Sequence, residues 1–177
     1  IIAGTLLFFS SHASAGLIVT EIMYDPADSD SAWEWVELFN SGSSDINLSG
    51  YVIDDNNGLF QTSANLSGSI NANSTAVLFN SDAITAGDFT SAWSNGLNLI
   101  GVSGWNKMGL NNSGDQISLW DSFTGYSGDH ISHANAVLTQ AFGESAQWPN
   151  NNNSASIYLT DLYADPSDGS NWALSVT

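Results

Sequence analysis

Residues 16–50, GLIVTEIMYDPADSDSAWEWVELFNSGSSDINLSG, decide how the rest of this chain is read. The runs 17–24 and 33–39 are short, rich in β-branched and aromatic residues, and bounded by Asp, Pro, Ser, Asn and Gly, which is the composition of strands and their turns. Between them lies an acidic loop carrying Asp25, Asp28 and Asp30. Ser49-Gly50 then turns the chain through a third strand expected over 47–54.

Working outward, the same pattern repeats. Asp54-Asp55-Asn56-Asn57-Gly58 reads as a turn, because Asn and Asp bond to their own backbone and Gly accepts positive φ. Strands are expected over 59–66, 76–80 and 97–102, with one helical turn around 83–89. In 116–121, Ile117 and Leu119 alternate with Gln116, Ser118 and Trp120, the period of a half-buried strand. Runs 129–136 and 155–160 add two more, and 171–176 supplies an edge strand. About nine to ten short strands with frequent turn signals and no long helix predict an all-β, antiparallel β-sandwich.

Three motifs in order, Thr20-Glu21-Ile22-Met23-Tyr24-Asp25-Pro26, Glu34-Trp35-Val36-Glu37-Leu38-Phe39-Asn40 and Leu48-Ser49-Gly50-Tyr51, resemble the lamin-tail domain as found in secreted bacterial proteins. The Asn112-Ser113-Gly114-Asp115 turn into a late strand is a second point of likeness. The resemblance covers residues 17 to about 136 well and the remainder loosely. It implies an immunoglobulin-like β-sandwich and no reaction.

Residues 1–15, IIAGTLLFFSSHASA, read as the tail of a secretory signal peptide: an apolar run followed by the Ala13-Ser14-Ala15 cleavage signature. The apolar run is far shorter than the roughly 20 residues a membrane span requires. Residues 16–177 are therefore expected to form one secreted or cell-surface domain starting at Gly16. With 18 Asp and Glu against Lys107 alone, the net charge of -17 argues against nucleic-acid binding, which needs Lys and Arg to displace counterions. There is no Cys, hence no thiol chemistry and no Cys-metal site.

Catalysis finds few components. His130 and His133 are the histidines of residues 16–177, and on a strand they would point to opposite faces. Glu34 and Glu37 flank Trp35, yet strand period places them on opposite faces, whereas an acid/base pair needs one cleft. Glu37, between aromatics, is expected to serve as a structural hydrogen-bond acceptor for loop backbone.

Binding has more to offer. Asp25, Asp28 and Asp30 supply carboxylates within one loop, the donor type calcium prefers, and Asp54-Asp55 and Asp161, Asp165 and Asp168 form further acidic turns. None has EF-hand spacing. Of the seven tryptophans, Trp105 in a Gly-rich loop and Trp148 before Pro149 are the candidates for a sugar-stacking platform. Asn47, Asn65, Asn73, Asn111 and Asn152 begin Asn-x-Ser/Thr sequons. The expected function is a non-catalytic interaction or spacer module with an unidentified protein or glycan partner and no cofactor. The alternatives are a carbohydrate- or calcium-dependent ligand-binding module and an accessory domain of a secreted hydrolase.

Overall fold

The structure, a computed structural model, describes residues 16–28, 30–55, 58–143, 145–150 and 155–176. The signal-peptide reading of 1–15, the Asn56-Asn57 part of the turn and the Asn152 sequon lie outside these residues.

A six-stranded sheet is built around the opening stretch. β1 (Leu17–Met23) pairs with β2 (Trp35–Asn40), which follows a single helical turn, α1 (Asp30–Trp33). Two residues of β3 (Ile46–Asn47), three of β4 (Val52–Asp54) and two of β5 (Ser69–Ile70) follow, then β6 (Ser74–Asn80). Helix α2 (Ala86–Ala92) leads to β7 (Leu99–Val102), and α3 (Trp105–Met108) to β8 (Asp115–Trp120). Helix α4 (Phe123–Asp129), β9 (Leu138–Phe142), β10 (Ile157–Leu159) and β11 (Trp172–Leu174) complete the chain.

The order in the large sheet is β11-β10-β1-β2-β6-β7, and a second sheet runs β4-β8-β9. Every ladder is antiparallel except β6 with β7, which are parallel because α2 carries the chain back over the sheet. Val19, Ile22, Val36, Leu38 and Leu78 from the large sheet meet Ile53, Ile117, Leu119 and Phe142 from the small one, forming the buried core of a β-sandwich. Eleven strands form among the described residues, against the nine to ten expected.

Four local expectations are corrected. The strand expected over 129–136 is the end of α4 and the turn after it. Run 59–66 forms no strand; instead the Asn65 side chain takes both backbone groups of Ile53, Oδ1 accepting from its N–H and Nδ2 donating to its carbonyl, each at 2.9 Å. One amide thus does the work of a strand residue along the edge of β4, which satisfies that edge without extending the sheet. The run 47–54 divides at the Ser49-Gly50 turn, where Gly50 takes φ +96°. β9 falls in a stretch assigned no strand from sequence.

Each sheet carries a small aromatic cluster on its outer face. Met23, Trp35, Val77 and Phe79 lie beneath Phe89 of α2. Val52 and Trp120 lie beneath Tyr126 of α4. Both helices are seven residues long, too short to stand alone, and both are fixed by N-caps. Thr85 and Asp88 form a reciprocal capping box on α2, and the Ser122 hydroxyl accepts from the Gly125 N–H on α4.

Candidate functional site

The outer face of the large sheet holds one continuous row of cross-strand partners: Tyr158, Glu21, Glu37, Val77 and Leu99. Glu21 and Glu37 are thus directly opposed on neighbouring strands. A bulge puts them there, because the β1–β2 register shifts between Val19 and Glu21. In a regular strand Glu21 would share a face with Val19, which is fully buried in the core. The extra residue, Thr20, turns Glu21 outward and returns Ile22 to the core, a use of a bulge to re-aim a side chain.

Each carboxylate accepts one hydroxyl. Thr20 Oγ1 donates to Glu37 Oε1 at 2.6 Å, and Ser156 Oγ donates to Glu21 Oε1. Burial pushes the Glu21 carboxyl above its ordinary range; the Ser156 hydrogen bond opposes this and the Glu37 charge reinforces it. The pair opens into a groove of about 310 Å³ whose other walls are Trp35, Val77, Phe89, Trp93, Leu97 and the hydroxyl-bearing Ser94 and Ser175. Trp93, at the C-cap of α2, is 39% exposed. Its ring meets Trp35 edge-on at 5.4 Å and stacks along Phe89 at 6.1 Å. The buried indole N–H of Trp35 has no hydrogen-bond partner among the described residues.

Elsewhere, carboxylates fasten the frame. Glu34 is 3% exposed, and its Oε2 accepts from the Trp105 indole at 2.8 Å and from the Leu110 N–H at 3.1 Å. The structural role expected of Glu37 thus belongs to Glu34, which ties β2 to α3 and the loop after it. Asp54 accepts from the Tyr126 hydroxyl, which itself accepts from the Gln61 N–H at 3.1 Å. Burial raises the Asp54 carboxyl, and burial together with the Asp54 carboxylate pushes Tyr126 up to about 12. Asp129 accepts from Ser132, from the Trp120 indole at 3.0 Å, and from the Asn135 and Ala134 N–H groups at 2.7 and 3.1 Å. These donors, Ser132 first, hold it down at about 2.

The acidic loop is described in part. Asp25 is buried and accepts from Asn112 Nδ2 at 2.9 Å, Asp28 is exposed, and the Asp30 side chain lies outside the described residues. Among the described residues no three carboxylates or imidazoles converge to hold a metal. Asp161, Asp165 and Asp168 each accept from the backbone N–H two residues on, at 2.9 Å, as turn formers do.

Trp105 is corrected outright: it is 0% exposed, packs in the central core and offers no face to a sugar. Trp148 is half-buried, 5.4 Å from the Trp172 ring, and lies so close over Gly169 that a Cβ there would meet the indole at 2.8 Å. It also lines a polar cavity of about 350 Å³ with Tyr24, Asn112, Ser113 and Ser145. His130 and His133 sit at the end of α4 and in the following turn, not on a strand. His133 Nδ1 is 2.7 Å from Ser118 Oγ, but Ser118 is fully buried on β8, so the contact satisfies a buried hydroxyl.

Sequence reading missed Glu21 and Trp93. The signal for Glu21 was present: Val19 and Ile22 are both apolar with Thr20-Glu21 between them, a break in the two-residue period that marks a bulge.

Two packed sheets with frame-fastening carboxylates define a β-sandwich module, and comparison with known families agrees. The lamin tail domain model matches residues 10–165, and the chain belongs to the lamin tail domain family, a family of immunoglobulin-like, non-enzymatic domains. Neither a curated protein nor a solved structure matches the chain. Among the described residues, no helix is long and apolar enough to cross a membrane.

Proposed function

We propose that this chain is a non-catalytic interaction module that works outside the cytoplasm, on the cell surface or in the medium, and positions a neighbour such as a secreted hydrolase. The observation that carries the reading is the use made of its carboxylates. Glu34, Asp54 and Asp129 are buried and bonded to donors of the chain itself, so these three brace loops and are not free to act as an acid or a base on a substrate. Export rests on residues 1–15 and on the high acidity.

Incubating the chain with nuclease, phosphatase and glycosidase substrates should give no turnover above background; reproducible turnover abolished by substitution within the domain overturns the reading. For location, N-terminal sequencing of protein recovered from culture medium should begin at Gly16. Retention in the cytoplasm with residues 1–15 intact contradicts export.

A second reading, carbohydrate binding, is favoured by the polar cavity beside Trp148, where Asn112, Ser113 and Ser145 offer hydrogen bonds beside an indole. A glycan array tests it: specific binding lost in Trp148→Ala supports it, and an empty array ends it.

A further inference from the structure

The groove on the outer face of the large sheet has a defined ligand chemistry. We propose that it receives an alkylammonium group, the side chain of a lysine on a basic segment of a partner protein. The inference rests on the interaction reading and names the site and the partner's chemistry.

Directly opposed like charges on adjacent strands are unfavourable, and none of the residues lining this groove is basic. The chain has little means of neutralising the pair itself: it contains one Lys and no Arg, and Lys107 is exposed on α3, away from the groove lining. Apart from a proton held by the pair, a counter-charge has to come from outside.

The walls say which cation. A hard metal ion takes six to eight oxygens, but this groove offers two carboxylates and a few hydroxyls against Trp35, Val77, Phe89, Trp93 and Leu97. Aromatic faces next to carboxylates suit an organic cation, whose methylene stem lies on the rings while its charged head meets the acids. The exposed Trp93 ring, held against Trp35 and Phe89, supplies the face.

Hydrogen-bond bookkeeping favours ammonium over guanidinium. Oε1 of Glu37 and Oε1 of Glu21 each already accept a hydroxyl, which leaves Oε2 of each as the less occupied acceptor. An ammonium has three donors on one atom and can bridge two oxygens from different carboxylates, with Ser94 or Ser175 taking the third. A guanidinium fork is best matched by both oxygens of one carboxylate, and in each of these two one oxygen is already engaged by Thr20 or Ser156, so the fork is the poorer fit.

The test is a titration of the chain with a lysine-containing peptide and with its arginine and norleucine counterparts, followed by NMR of the tryptophan indole signals. The expected result is saturable movement of the Trp93 and Trp35 indole resonances by the lysine peptide. Affinity should fall about tenfold or more in Glu21→Gln and in Trp93→Ala, with little response to the other two peptides. Equal response to norleucine, or none to lysine, overturns the proposal. Tighter binding of tetramethylammonium than of the lysine peptide overturns the assignment to a partner's side chain. Peptide binding that survives both substitutions removes this groove as the site but leaves the interaction reading standing, whereas turnover on the substrate panel would sink that reading whatever the peptide does. Glu21→Gln retains an acceptor for Ser156, so its melting temperature at pH 7 should not fall, and loss of binding cannot then be ascribed to unfolding.

Discussion

The two outer faces of the sandwich are built from the same parts and finished differently. Each carries tryptophan on a central strand, a seven-residue helix laid over it, and acidic side chains beside the aromatic rings. Under α4, Asp54 and Asp129 are saturated by Tyr126, Trp120, Ser132 and backbone N–H groups, and the face is closed. Under α2, the helix ends at a partly exposed Trp93, and Glu21 and Glu37 are left facing each other in an open groove. The lesson is that a carboxylate beside an indole is not by itself a site. What distinguishes the faces is whether the chain has used up the acceptor.

The largest effect should come from the closed face. Trp120→Ala removes a fully buried indole and one of the donors to Asp129, and should cost about 3–5 kcal/mol in urea unfolding. Trp93→Ala, at the end of the helix over the open face, should cost about 1 kcal/mol or less, since the ring is partly in solvent. Equal losses would erase the distinction.

Tyr126→Phe comes next. It keeps the ring and deletes the hydroxyl, leaving Asp54 and the Gln61 N–H short of a partner in a buried setting, and should cost about 1–3 kcal/mol. Loosening should concentrate in residues 58–66, where hydrogen exchange would quicken; unchanged exchange there would show that this hydroxyl does not hold the loop.

Acid separates Asp129 on the closed face from Glu21 on the open one by sign. Asp129 is held at about 2 in the folded chain, so its stabilising contribution is complete above the ordinary carboxylate range and is lost as pH falls toward about 2. Glu21 is shifted upward, so folding takes up a proton there and its contribution worsens as pH rises out of the ordinary carboxylate range. Near-UV circular dichroism of the α4 face should therefore persist through pH 4 and decline only toward about 2. Wild-type chain should also lose a small stability increment on passing from acid to neutral pH that Glu21→Gln does not lose. A spectrum that collapses near pH 4 would contradict the Asp129 assignment.

Much of the frame was legible in the sequence because strand period and turn composition are local. The runs that became β1, β6 and β8 show it plainly: alternating or β-branched residues between Asx and Gly turns. What was illegible depends on contacts distant in the chain. Residues 129–136 look like a strand, but the Asp129 carboxylate gathers the N–H groups of Ala134 and Asn135 and turns the chain, with His133 at φ +54°. Residues 59–66 look like a strand, yet Asn65 already occupies the β4 edge. Trp105 sits in a Gly-rich stretch and reads as exposed, whereas Glu34, seventy-one residues earlier, draws its indole into the core. The Glu21–Glu37 pair needs both the bulge at Thr20 and the β1–β2 register, and neither motif containing these residues reveals the other.

The contrast between a closed and an open face is tested most directly by the Glu21→Gln, Glu37→Gln double variant, unfolded in urea at pH 7. If these carboxylates are held for a partner and contribute nothing to the frame, removing both charges should leave stability unchanged or raise it by about 0.2–1 kcal/mol, the scale of a relieved like-charge cross-strand pair. A loss of about 1–3 kcal/mol, as expected for Tyr126→Phe, would mean that this pair too is part of the frame.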